Sequence, residues 1–228
     1  MVEARSGRTL STASCDYPRW HRRLYCDVSK NQFRQHPLDY IEAFETAMKA
    51  ALAQVPSAGE RLLSIGIDAT GSTPCPVDRN GTPLALLDRF KENPNAMFYL
   101  WKDHTAVQEA IEINRVFSGS PVDYTKYQGV YSSEWWWAKI LHGVRIDPAV
   151  REAAGSWVEH ADWFPALLSG KTKPESMYRC ACAAGHKALW NSAFGGLPPA
   201  DVLRKLDPYL AEIAGRYAAP RGSDARVG

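Results

Sequence analysis

Long apolar runs are absent: nothing in the sequence approaches the roughly 18 to 20 residues that cross a bilayer, and Met1–Leu10 (MVEARSGRTL) lacks the hydrophobic centre of a signal peptide. The expectation is a soluble, cytoplasmic chain with no membrane partner. An excess of one charge is missing too. Lys and Arg number 27 against 25 Asp and Glu, a net charge of +2, so no overall field draws the chain to nucleic acid, and no nucleic-acid partner is expected. Cysteine is sparse and odd in number. Cys15, Cys26, Cys75, Cys180 and Cys182 are scattered, unlike the dense even framework of a small secreted domain, and read as reduced thiols. Cys180-x-Cys182 with His186 lacks the second ligand pair that would complete four donors, so no metal is expected. No internal repeat is present.

What is present is ordinary globular composition, 228 residues with 45% hydrophobic and 11% aromatic, enough for one large domain. Leu10–Cys15 reads as a short strand. Pro37 suits the first position of a helix running to Val55, with Ile41, Phe44, Met48, Ala51 and Val55 as its apolar stripe. The apolar run Arg61–Asp68 (RLLSIGID), flanked by Gly59 and Gly71, predicts an interior strand. Thr73–Val77 and Thr82–Leu86 flank Asp78-Arg79-Asn80-Gly81, a hairpin signal; the Asn80-Gly81-Thr82 triplet is read as that turn rather than as a glycosylation acceptor. Ala96–Trp101 predicts a strand feeding a helix over Thr105–Phe117, with Ala106, Ala110, Ile111 and Phe117 inward and Asp103 at its N-cap. Ser132 or Ser133 caps a helix over Glu134–His142, and Pro148 starts another. Three consecutive tryptophans, Trp135-Trp136-Trp137, cannot share one helix face, so most read as core and one as exposed. Strands and helices mixed with a hairpin predict an α/β fold with a mixed sheet, over residues 1–219, followed by a disordered polar tail, 220–228.

Three features could carry chemistry. Gly66-Ile-Asp-Ala-Thr-Gly-Ser-Thr73 ends a strand in a turn whose backbone N–H groups could bind ligand oxygens, although a plain strand-to-loop turn would look the same; it is neither G-x-x-x-x-G-K-[ST] nor G-x-G-x-x-G. Trp101-Lys102-Asp103-His104 combines an indole with polar groups that suit a sugar's C–H face and hydroxyls, or else a core Trp with a capping Asp. Lys187, beside Gly185 in an apolar stretch, is either a polyol-binding ammonium or a solvated loop lysine.

The blocks IGIDATGSTPCPVDRNGTPLAL, ENPNAMFYLWKDHTAVQEA, YSSEWWWAKILH, DWFPALLSG and AGHKALWNSAFGGLPPA, in this order, resemble the FGGY family of carbohydrate kinases. The ATGSTP and AGHK blocks point to its ribulokinase branch rather than to glycerol or xylulose kinases. The resemblance runs from about Tyr17-Pro18-Arg19-Trp20 to Asp207-Pro208. It implies a ribonuclease-H-like, actin-like fold, here as an incomplete N-terminal domain, and an ATP-dependent kinase that phosphorylates the terminal hydroxyl of L-ribulose or a related ketopentose in L-arabinose catabolism. By the same resemblance Lys187, Thr70, Gly71 and Ser72 match sugar-contacting positions, Trp101 matches a tryptophan lining the pocket, and Lys102 and Asp103 lie beside it.

The departures from the family pattern set further expectations. No Asp-x-Gly-Thr phosphate loop occurs, and the Gly-Gly segment that carries the family's base aspartate does not correspond to Gly195-Gly196. No catalytic residue is therefore assigned. ATP and Mg²⁺ are expected in the full-length enzyme with its missing C-terminal kinase domain, and neither for this chain alone, which is expected to be inactive. The resemblance leads us to expect the sugar-binding part of a kinase, as an expressed fragment or a truncated gene product; a stand-alone, non-catalytic sugar-binding or interaction module is the alternative. A homodimer is expected from an exposed sheet edge near Leu10–Cys15.

Overall fold

The computed structural model describes every residue except 125–128, 223–226 and 228. The fold is α/β, with two small sheets clasped by helices. One sheet carries β1 (Cys26–Asp27), β2 (Gln32–Gln35) and β4 (Phe98–Tyr99) in that order, all antiparallel. The other pairs β3 (Pro74–Val77) with β5 (Ser156–Glu159), also antiparallel, Cys75 opposite Val158. A mixed sheet was expected; among the described residues every named strand pair is antiparallel.

The reason lies in Arg61–Asp68. Ala58–Arg61 is a short helix and residues 62–70 form neither helix nor strand. Leu62, Leu63 and Ile65 are exposed, Leu63 at 84%. Apolarity alone does not make a strand: its N–H and C=O groups need a neighbouring ladder, and among the described residues none lies alongside. Leu10–Cys15 is likewise no strand. Leu10 N–H bonds back to Met1 O, Ser11 Oγ donates to Ala51 O, and Gln54 Nε2 donates to Thr12 O, so the segment lies along the end of the following helix.

That helix, Pro37–Ala53, forms as expected, with Pro37 at its start and His36 as N-cap, its ring nitrogen accepting from Leu38 N–H. Its fully buried residues are Pro37, Asp39, Tyr40 and Ala43, while Ile41, Phe44 and Met48 are only half-covered. The Asp78–Gly81 turn also forms, with Gly81 at φ +84° and Asp78 N–H bonded to Thr82 O, but its second arm makes a single bridge, Val77 to Pro83, before curling into a 3-10 turn at Leu84–Leu86.

The Ala96–Trp101 strand shortens to β4. The next helix is Val107–Ser118, and its inward residues are Ala106, Ala110, Ile113 and Phe117. This is one helical stripe; Ile111, a third of a turn from Ala110, is 60% exposed. Asp103 does not cap this helix, because its carboxylate is drawn inward to Arg34. The helix expected over Glu134–His142 spans Trp136–Ile146, and Ser132 Oγ caps the turn before it by accepting from Glu134 N–H. Pro148–Ala153 starts under an Asp147 cap. Arg221 is tied to the body through its N–H to Arg179 O; most of the expected tail, 223–226 and 228, lies outside the described residues.

The larger core gathers Trp136, Trp137, Ile140 and Leu141 with Tyr99, Trp157, Ile113, Leu203, Leu210 and Ile213. A second cluster sets Tyr40, Phe98, Trp163 and Phe164 over β3 and β5. The Trp136–Ile146 helix therefore touches the ends of both sheets, which is where the candidate residues meet.

Candidate functional site

The turn Thr70–Thr73 enters β3. Ser72 holds φ +62°, a left-handed conformation uncommon for a residue with a side chain. It persists because the turn is bonded from several sides. Thr73 Oγ1 donates to Thr70 O at 3.1 Å, and Ser72 Oγ donates to Glu134 O. Lys139 Nζ, from the Trp136–Ile146 helix, donates to Ser72 O at 2.6 Å, and Thr73 N–H donates to Glu159 Oε2, at the end of β5, at 2.7 Å. Thr70 and Gly71 remain exposed.

Lys139 also brings the second motif to the first, since its ammonium donates to Leu100 O at 2.8 Å, just before Trp101. Trp101 is 50% exposed, an indole open to a ligand face. His104 follows, its Nδ1 3.0 Å from Ser133 Oγ and its Nε2 3.4 Å from Glu134 Oε1. Lys102 points its ammonium over the Trp20 and Phe33 rings, 4.7 and 4.6 Å from their centroids. Asp103 is fully buried. It pairs with Arg34, accepts from Phe33 N–H at 2.7 Å, and accepts from Thr105 Oγ1. Its oxygens are spent inside the protein, so the structure separates Asp103 and Lys102 from the turn while keeping Trp101 at the surface.

Lys187, at the end of the Ala181–Lys187 helix, comes to the turn from the other side. A methyl group placed on Gly71 would lie 3.8 Å from Lys187 Cε. The ammonium stands 5.3 Å from the Trp135 ring centroid. Its backbone is fixed by the aromatic core: Tyr131 Oη donates to Lys187 O at 2.7 Å and Trp137 Nε1 donates to Ala188 O at 2.8 Å. Trp136 and Trp137 are core, and Trp135 is the half-buried one, edge-on to Tyr131 and facing the lysine. Partial burial holds the Lys187 ammonium below the usual lysine range, an effect opposed by the negative charges of Glu134 and Glu159. The Glu159 carboxyl is pushed up, first by burial, and the Lys139 ammonium is pushed down by burial, each opposed by the other's charge.

Turn, half-exposed Lys187, Trp135, Glu134, His104 and Trp101 together present an ammonium, a carboxylate, hydroxyls, open backbone and aromatic faces. Such a set offers hydrogen-bonding groups of the kind hydroxyls need and flat faces of the kind C–H surfaces need. It does not suit a divalent cation: among the described residues no three His, Cys, Asp or Glu side chains gather to hold one, at Cys180 and Cys182 or elsewhere. Sequence reading missed Lys139, Glu159 and Glu134. The available signal was a lone charge inside an apolar run, Lys139 within WWWAKILH and Glu159 within SWVE, where helical or strand phase leaves it no route to water.

No helix of the described residues is long and apolar enough to cross a membrane. No family model matches the chain. Curated relatives include the ribulokinase of Vibrio parahaemolyticus, 48% identical over 219 residues that cover 95% of this chain and 39% of that protein. The ribulokinase of Bacillus licheniformis is 33% identical over 93% of this chain and 39% of its own length. The chain thus spans about two fifths of the curated relatives it matches. Among solved structures, a xyloylose kinase from Brucella ovis superposes with a TM-score of 0.61 at 16% identity, over 84% of this chain and 35% of that one. Xylulose kinase from Bifidobacterium adolescentis gives 0.56 at 15% identity, over 79% and 39%. These two carry the fold: it is that of the actin-like sugar kinases.

Proposed function

We propose that the chain, which matches part of a ribulokinase, is a member of the FGGY carbohydrate kinases and forms the sugar-binding portion of an ATP-dependent L-ribulokinase. The whole enzyme would transfer the γ-phosphoryl of ATP to the terminal hydroxyl of L-ribulose, in the cytoplasm, within L-arabinose catabolism. The observation that carries this reading is the approach of Lys187 to the open backbone at Gly71, beside Trp135. An ammonium with three donors and a turn with free backbone groups grip adjacent hydroxyls, and the aromatic faces cover the carbon skeleton.

ATP and Mg²⁺ belong in this reading to the rest of a longer kinase. Phosphoryl transfer needs phosphate cradle, metal and base in one closed cleft, and among the described residues no three His, Cys, Asp or Glu side chains gather to hold the metal. The residues present bind and orient the sugar; they do not activate it. Calorimetric titration of the chain with L-ribulose, with D-glucose as control, tests binding. A coupled ADP-release assay with L-ribulose, ATP and Mg²⁺, cleared of host kinases, tests turnover. Binding without turnover is expected. No heat with L-ribulose, or ribulose-dependent ADP release that vanishes in Lys187→Ala, would overturn the assignment.

A further inference from the structure

We propose that Lys139 and Glu159 are positioning residues of the sugar site, which clamp the two ends of one peptide bond, Ser72–Thr73, and thereby hold the Thr70–Thr73 turn in the shape that presents Gly71 to Lys187. This rests on the sugar-binding reading of that turn.

The carbonyl that Lys139 Nζ meets at 2.6 Å and the N–H that Glu159 Oε2 meets at 2.7 Å belong to the same peptide unit. With both groups ionised, a cation sits on the negative end of the peptide dipole and an anion on the positive end, which makes both hydrogen bonds charge-assisted. The two side chains come from different elements, the Trp136–Ile146 helix and β5, and fix the peptide's plane from both sides. Among the described residues neither has a salt-bridge partner; their charges meet through the peptide. Both are buried, Lys139 at 0% and Glu159 at 1% exposure.

Burying two ionisable groups is costly, and apolar side chains of the same size commonly serve a core as well or better. Core stability alone is therefore a poor account of this pair. What apolar side chains would not supply is orientation of the peptide. Ser72 needs it, because its φ of +62° is held against an intrinsic preference, with its hydroxyl bonded to Glu134 O. If the peptide rotated, Gly71 would turn with it, and the backbone beside Lys187 would no longer face a ligand. Lys139 reaches Leu100 O as well, so the same ammonium sets the distance from the turn to Trp101.

The experiment combines amide hydrogen exchange by NMR with calorimetric titration of L-ribulose, on the 228-residue chain and on Glu159→Gln, Glu159→Leu and Lys139→Met. Gln keeps an acceptor for Thr73 N–H and loses only the charge; Leu loses both. A graded response is expected. Thr73 exchange rises about tenfold in Glu159→Gln and at least about a hundredfold in Glu159→Leu, relative to the Cys75 and Val77 amides of β3, and L-ribulose affinity falls about fivefold and at least about twentyfold. Lys139→Met follows Glu159→Leu in affinity. Should Glu159→Leu fail to fold, Glu159→Gln and Lys139→Met carry the test. Thr73 exchange that moves only in step with the rest of β3, or affinity unchanged in the folded variants, overturns the clamp even though the wild type binds sugar. No binding by the wild type overturns the sugar-site reading and the positioning role with it, whereas the Thr73 amide still reports whether the peptide is clamped.

Discussion

Gly71 and Lys187 face each other across the mouth of the Thr70–Thr73 turn, with room for one methyl group 3.8 Å from the lysine stem. The ammonium is half-buried and near Trp135, while the lysine's carbonyl, held by Tyr131, anchors the segment to the core. Side chain and backbone thus have separate tasks. Lys187→Ala removes the ligand-facing ammonium and leaves the anchor. L-ribulose affinity should fall roughly ten- to a hundredfold, the equivalent of about 1 to 3 kcal/mol, with the unfolding midpoint nearly unchanged. Calorimetric titration alongside urea melts checks this; equal affinity in a folded variant takes Lys187 out of the site.

Asp103 should behave in the opposite way. It is buried against Arg34, whose guanidinium also stacks 3.5 Å over the Tyr99 ring. Asp103→Asn leaves that guanidinium without its counter-charge in the interior, which typically costs about 3 to 5 kcal/mol. Urea denaturation should show a loss of this size. A variant of wild-type stability that binds L-ribulose poorly would instead return Asp103 to the sugar site.

These two residues show what sequence can and cannot reveal. Lys187 and the Thr70–Ser72 turn, which the structure brings together, each carried a local signal: a charged residue beside glycine in an apolar stretch, and a Gly-hydroxyl turn after an apolar run. The Pro37 helix was readable for the same reason: a start residue and a periodic stripe sit within one segment. Asp103 looked equally polar and available, yet its fate was decided by Arg34, a residue of β2 distant in sequence. The Arg61–Asp68 run failed as a strand on a similar ground, since strand formation depends on a neighbour that the run itself does not encode. Lys139 and Glu159 were visible only as charges in apolar runs, and their common target, one peptide of the turn, is a fact of three dimensions.

Gly143 tests the packing of the helix that carries Lys139. A methyl group there would lie 2.6 Å from Tyr99 Oη and 3.1 Å from the Trp157 ring, both buried. Neither ring can retreat, as Tyr99 packs on Arg34 and Trp157 Nε1 donates to Tyr209 Oη. Helix propensity favours alanine by up to about 1 kcal/mol, but overpacking commonly costs about 1 to 3 kcal/mol or more. Gly143→Ala should therefore be destabilised in thermal melts; a stabilised variant would show that the interface yields.

Leu63 distinguishes an interior strand from an open segment. At 84% exposure it has little apolar contact to lose, so Leu63→Lys should change stability by less than about 0.5 kcal/mol. Self-association of the chain, the dimer expected from an exposed edge, would draw on this apolar run rather than on Leu10–Cys15. The same substitution should then lower the concentration dependence of light scattering. A loss of several kcal/mol would place Leu63 in a core.

His160 sets the acid side of the stability profile. Its ring lies 4.0 Å from Tyr40 and 5.4 Å from Phe98, centroid to centroid, and its Nε2 has no hydrogen-bond partner. Burial lowers its pKa from 6.5 to about 4. The folded state resists the proton that the unfolded chain accepts, so the stabilising contribution is complete above pH 6.5 and is lost as pH falls through about 4. The gap corresponds to roughly 3 kcal/mol. Asp162, two residues on, works against it: burial raises its pKa to about 6 against the opposing charge of Arg179, which adds stability below 3.8 that is lost as pH rises through 6. Over pH 4 to 6 the two trends oppose each other, and the wild-type profile alone would hide both. The difference between wild type and His160→Phe isolates the histidine, since phenylalanine keeps the ring packing and cannot titrate. In urea melts from pH 7 to 4, the variant should gain on the wild type by roughly 3 kcal/mol as pH falls. A constant difference across that range would mean that His160 reaches water in the folded state.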